Sequence, residues 1–189
     1  MGKLIVTEFI SLDGVFEDPG GSEGTKLGPW TFGFNRGPEG DTFKIDELKN
    51  SDASLLGFKT YQGFAAAWPG RTGAFADILN NQPKYVVSDK PTTLEWNNSH
   101  IILAENLKDE VEKLKKQFIG DILVAGSGSV VKALMENDLI DQYNLMVFPV
   151  VLGSGRRLFN ELAKRVTLKL VESKPVGPDG VMILIYKPK

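Results

Sequence analysis

Cysteine is absent from the 189 residues, and His100 is the only imidazole. The first absence removes disulfides, thiol nucleophiles and thiolate metal sites together. The second leaves no multi-histidine metal centre, so no metal ligands are expected. No apolar run approaches the roughly 20 residues of a membrane span. Residues Met1 to Glu8 enter a strand pattern directly, without the architecture of a signal peptide. Lysine and arginine number 22 against 24 acidic residues, a net charge of −2, so no basic field draws nucleic acid or an anionic membrane. A cytoplasmic protein with a small-molecule partner is expected, with no nucleic acid and no membrane.

What is present centres on Asp121 to Leu134. Ile122 to Ala125 is an apolar run suited to a strand buried on both faces. Gly126-Ser127-Gly128-Ser129 interrupts it, and Val130, Val131, Leu134 and Met135 resume at helical spacing. Ser129 can serve as the N-cap of that helix. A strand, a glycine turn and a helix N-terminus form either a phosphate cradle or an ordinary tight turn. Val131 stands where a dinucleotide fingerprint would carry its third glycine.

The rest of the chain alternates strands and helices. Leu4 to Ile10 reads as a strand ending in the turn signal Ser11-Leu12-Asp13-Gly14. Phe16 to Gly40 is rich in Gly and Pro and carries Trp30, Phe32 and Phe34; so long a loop reads as a lid or pocket wall. Asp41 or Thr42 can cap a helix running to about Asn50, with Ile45 and Leu48 inward and Asp46 and Glu47 on a solvated face. Ala53 to Gly57 is a strand, and Phe58 opens a helix that Thr60 can cap, with Lys59 beside it. Lys84 to Ser88 and His100 to Leu103 are short strands, and a helix follows from about Leu107. Gln142 to Val150 is a long strand ending in Gly153-Ser154-Gly155-Arg156-Arg157. Val166 to Ser173 and Val181 to Lys187 have no helix between them and read as a hairpin. One α/β domain over residues 1–189 is expected, mostly parallel with an antiparallel C-terminal hairpin and helices on both faces.

Taken in order, Ser11-Leu12-Asp13-Gly14, Leu55-Leu56-Gly57-Phe58-Lys59-Thr60-Tyr61, Val87-Ser88-Asp89-Lys90, Gly126-Ser127-Gly128-Ser129 and Pro149 to Gly155 resemble the dihydrofolate reductase-like superfamily. The nearest branch holds the reductase domain of the bifunctional riboflavin-biosynthesis deaminase-reductase. The resemblance implies a sheet of about eight strands with NADPH lying across the strand ends. It implies that Gly126, Ser127, Gly128, Ser129 and Val130 hold the pyrophosphate and the nearby nicotinamide half. Gly57, Lys59 and Thr60 would hold phosphate, and Ser88 with Lys90 would meet the adenosine ribose and its 2′-phosphate. The family's Gly-Arg-x-Thr reads Gly57-Phe58-Lys59-Thr60 here, which replaces a bidentate fork by a point charge. A homodimer is also implied.

Hydride transfer asks the protein chiefly for orientation, and a carboxylate assists when the acceptor is an imine or carbonyl. Asp13 is one candidate, or else a turn residue bonding its own backbone. Asp41 is the other: by resemblance it falls near the pterin-anchoring carboxylate, and otherwise it is an N-cap. Phe9, Trp30 and Phe34 are candidate walls for a flat heterocycle, and Arg156 is a candidate clamp for a substrate phosphate or a solvated arginine. The expected function is an NADPH-dependent reductase acting on a pterin- or riboflavin-precursor-like molecule. The alternative is a non-catalytic nucleotide- or flavin-binding module.

Overall fold

The computed structural model describes residues 1–189. Its centre is one sheet built from β1 (Leu4–Ser11), β2 (Ser51–Gly57), β3 (Lys84–Ser88), β4 (Ser99–Leu103), β5 (Asp121–Val124), β6 (Gln142–Phe148), β7 (Leu168–Val176) and β8 (Val181–Pro188). The strand order is β4-β3-β2-β5-β1-β6-β8-β7. The pairs from β4 across to β6 are all parallel. Strand β8 then runs antiparallel to β6, and β7 antiparallel to β8. The mostly parallel sheet with an antiparallel C-terminal hairpin is thus present.

Strand β1 shows why consecutive residues, Leu4, Ile5 and Val6, are all apolar. Leu4, Val6 and Ile10 pack on one face, with Val111 and Leu114 of α4 (Leu107–Gln117) and Val131 and Leu134 of α5 (Gly128–Glu136). Ile5 enters the other face, with Leu48 of α1 (Gly37–Lys49), Tyr61 of α2 (Phe58–Ala67) and Leu79 of α3 (Ala74–Asn81). A strand between two helical layers has no solvent face, so its hydrophobic pattern has no period-2 gap. Glu8, on the same strand, breaks that pattern.

Local signals moved several boundaries. Helix α1 starts at Gly37, about one turn before Asp41, because Pro38 sits in the first turn with φ pre-set and Glu39 lies near the positive helix end. Asp41 is therefore inside the helix and is no cap. The inward stripe of α1 is Gly40, Lys44, Glu47 and Leu48, so Glu47 is buried where a solvated face was expected. The N-caps of α2 and α5 are Gly57 and Ser127, not Thr60 and Ser129. Both have extended backbones, and the Ser127 carbonyl already accepts the first helical bond from Val131 N–H at 3.0 Å. Strand β7 continues to Val176 through Pro175, which an edge strand tolerates because its outer side has no ladder to complete.

Candidate active site

A cleft of about 1120 Å³ opens where the carboxyl ends of β1, β2, β5 and β6 meet α1, α2 and the long loop. The strands that define it are neighbours at the centre of the sheet, which is where open α/β sheets take their ligands. A smaller concavity along Phe159–Val166 holds about 380 Å³ and has none of the buried polar groups described below.

One side of the cleft is formed by two strand-to-helix junctions lying side by side. The Gly57 N–H donates to the Gly126 carbonyl at 3.0 Å, which binds the β2–α2 turn to the β5–α5 turn. Gly126 has φ +84° and a cis peptide to Ser127. A methyl group on Gly126 would sit 2.9 Å from Thr60 Oγ1, so only glycine leaves this corner open. Lys59, Thr60, Gly126 and Ser127 line the cleft. Ser127 and Ser129 share a hydroxyl–hydroxyl bond of 2.9 Å.

The other predicted cofactor residues serve the wall from behind or lie beyond it. Gly57 is buried, and a Cβ there would collide with the Ser127 side chain. A Cβ on Gly128 would meet the Phe16 ring at 2.5 Å, so this glycine admits the long loop. Val130 belongs to the core. Ser88 and Lys90 are at the end of β3, where the Ser88 hydroxyl donates to the Lys90 carbonyl at 2.9 Å.

The opposite side is aromatic. Phe9 and Phe34 both line the cleft and both make edge contacts with Phe148, at 5.5 and 5.8 Å between ring centres. The Arg36 guanidinium and the Lys44 ammonium each lie 5.2 Å from the Phe9 ring centre. Trp30 does not line the cleft. It is buried against Phe148, with its indole N–H donating to the Glu17 carbonyl at 2.8 Å. Phe32 of the same loop is exposed and does face the cleft.

The long loop is a wall of this site, with Pro19 to Glu23, Thr31, Phe32 and Phe34 all on the lining. Buried Asp18 organises it by accepting from the backbone N–H of Glu23 and from both the N–H and hydroxyl of Thr25. Arg156 lines the cleft mouth, pairing with Glu17 at 2.7 Å and also with Glu23. Lys59 pairs with the same Glu23 at 2.9 Å. The cationic ends of these pairs are exposed and the carboxylates are partly covered, so solvent screens the pairs from the cation side.

Neither aspartate singled out from the sequence lines the cleft. Asp41 is exposed and pairs with Arg36 at 2.7 Å. Asp13 accepts from the Ser11 hydroxyl at 2.6 Å, from the Leu152 and Gly153 N–H groups at 3.1 and 3.0 Å, and from Arg157 at 3.4 Å. The Ser11 hydroxyl and then the backbone donors hold its carboxyl down at about 2.

Two glutamates occupy the site instead. Glu47 is buried, and its carboxylate accepts from Thr7 Oγ1 at 2.9 Å and Asn144 Nδ2 at 2.8 Å and pairs with Lys44. Glu8 lines the cleft, and its Oε1 is buried with no hydrogen-bond partner. Burial pushes its carboxyl up to about 8; Lys44 pulls the other way, and the Glu23 charge adds a smaller upward push. The sequence carried one signal for Glu8, a charge inside a strand apolar on both faces. For Glu47 it was the i, i+4, i+7 relation to Gly40 and Lys44.

Residues 2–182 match the family model of the RibD C-terminal domain. The chain belongs to that family. Two Bacillus subtilis (strain 168) proteins are similar over nearly their whole lengths, both uncharacterized. YyaP is 28% identical, covering 97% of this chain and 94% of YyaP, and YwjB is 29% identical, covering 93% and 92%. Among solved structures, one from Shewanella sp. PV-4 gives a TM-score of 0.77 at 22% identity, covering 99% of both chains. Acinetobacter baumannii RibD gives 0.69 at 17% identity; this chain is covered completely and spans 58% of RibD. Enterococcus faecalis dihydrofolate reductase, complexed with NADP(H) and RAB-propyl, gives 0.63 at 16% identity over 99% of this chain and 96% of that one. At these identities the structures establish a shared fold.

Proposed function

We propose that this RibD C-terminal domain family member is an NADPH-dependent reductase that delivers a hydride to a small heterocycle of pterin or riboflavin-precursor type. The observation that carries the reading is the division of the cleft. Two helix N-termini and the open corner at Gly126 stand on one side, and the Phe9–Phe34 aromatic wall on the other. Such a pairing suits a phosphorylated cofactor beside a flat acceptor. Family membership and the NADP(H)-bound dihydrofolate reductase of the same fold support it.

The residues present fit a dinucleotide. Lys59, Thr60, Gly126 and Ser127 would hold its phosphates, with Gly57, Gly128, Ser129 and Val130 shaping the turn. Ser88 and Lys90 would take the adenosine end. Bound there, NADPH supplies the hydride. Phe9, Phe34 and Arg156 would contact the substrate. Asp13 and Asp41, the carboxylates first considered for proton transfer, stand off the cleft, which favours placing that role elsewhere. A homodimer located in the cytoplasm belongs to the same proposal, and sedimentation equilibrium tests the dimer.

Titration with NADPH, followed by nucleotide fluorescence and thermal shift, tests the reading. Cofactor at about 100 times its Kd should add about 2.7 kcal/mol of stability. Absence of binding at millimolar NADPH would overturn it. Binding without oxidation by any pterin, ribosyl-pyrimidine or quinone acceptor would favour a non-catalytic nucleotide-binding module. The Glu23–Lys59 pair across the phosphate side is the observation that keeps that second reading open.

A further inference from the structure

Glu8 is the one group in the cleft whose placement has no structural explanation. It stands on β1, between β5 and β6 at the middle of the sheet. Its Oε1 is buried and makes no hydrogen bond. A methyl group built on Gly126 would lie 3.6 Å from that oxygen, so the carboxyl borders the corner that glycine keeps open. Each charged neighbour is otherwise engaged. Lys44 on α1 pairs with Glu47, Glu23 on the long loop pairs with Lys59 and Arg156, and Thr60 on α2 supplies only a hydroxyl. Lys44 acts on Glu8 only through its field, no cation bonds to it directly, and a buried charge without a bonded partner costs several kcal/mol. A carboxyl in that position keeps its proton and has a donor to offer.

We infer that Glu8 is the acid of this cleft, a neutral carboxylic acid that presents its proton from β1 to a nitrogen or oxygen acceptor on the bound heterocycle. Its use in turnover rests on the reductase reading. Reduction of a C=N or C=O bond leaves a lone pair on the heteroatom that needs a proton. The Glu8 O–H bond breaks and an N–H or O–H bond forms on that heteroatom, while the adjoining carbon receives the hydride of the reduced nicotinamide. The Glu8 carboxylate then recovers a proton from water. Asp13 cannot substitute, because its carboxylate is occupied by the loop around Leu152 and Gly153.

The test compares the full-length protein with Glu8→Gln, which keeps a neutral donor of similar shape. In the first arm, thermal unfolding is followed from pH 4 to 9 without ligand. An acid whose folded pKa is raised to about 8 from an ordinary 4.5 binds more protons folded than unfolded across that window. Wild type should therefore lose stability relative to Glu8→Gln as pH rises from 4.5 to 8, and the gap should level off above. Parallel curves would overturn the neutral acid.

In the second arm, 13C-carboxyl NMR identifies Glu8 by the resonance that Glu8→Gln removes. Its titration is then recorded with and without saturating NADPH, whose binding is followed separately by fluorescence. A shifted midpoint supports a place at the ligand, and an unchanged midpoint under saturation refutes it. NADPH that fails to bind sinks the reductase reading and the turnover role with it, whereas the protonation state is already decided in the first arm.

Discussion

Buried polar side chains divide into those whose partners are complete and those whose partners are missing. Glu47 belongs to the first kind: Lys44, Thr7 and Asn144 occupy its carboxylate, and the network ties α1 to β1 and β6. Removing one partner of such a pair leaves the other charge uncompensated, so Glu47→Ala should cost about 3 kcal/mol, read as a lowered urea midpoint at unchanged m-value. Lys84 is of the same kind. It is fully buried, burial lowers its ammonium to about 8, and three carbonyls (Asn80, Gln82 and Asn97) accept from it beside the Trp96 ring. Glu8 belongs to the second kind, and its missing partner together with its place on the cleft sets it apart.

Asp13 and the long loop show how turns are held to one another. The Asp13 carboxylate joins the turn after β1 to the segment after β6, through Leu152, Gly153 and Arg157. With its pKa depressed to about 2 from an ordinary 3.8, it binds fewer protons folded than unfolded in that window. Its stabilising contribution is complete above pH 3.8 and disappears as pH falls through 2. Asp13→Asn should therefore flatten the acid limb of a stability–pH curve between pH 4 and 2, measured by thermal unfolding. The β2–α2 and β5–α5 turns are coupled more tightly. Because a Cβ on Gly57 would collide with Ser127, Gly57→Ala should displace the β5 turn. NADPH affinity should fall at least about tenfold while far-UV circular dichroism stays unchanged; a loss of about 1–3 kcal/mol in stability should accompany it.

For the whole molecule, the C-terminal hairpin closes the core behind the aromatic wall. Val176, Val181 and Ile183 pack with Trp30, Met146 and Phe148, the residue on which Phe9 and Phe34 lean. Those three side chains are each worth about 1.5–3 kcal/mol when buried, a large share of a typical 5–15 kcal/mol. A chain ending at Arg165 should lack a cooperative unfolding transition in calorimetry, and should bind NADPH no better than the unfolded protein. The alternation of strands and helices, the parallel sheet and the hairpin were readable from the chain because burial on two faces and turn chemistry are local properties. So was the glycine turn at Gly126, whose φ only glycine adopts readily. Which carboxylate enters the cleft was a tertiary matter. Asp13 and Asp41 have sequence contexts suited to a site, yet the loop at Leu152 claims one and Arg36 the other. Glu8 and Glu47 lie where helix α1, the long loop and three strands converge, and only that convergence withdraws water, supplies Glu47 with partners and leaves Glu8 with none.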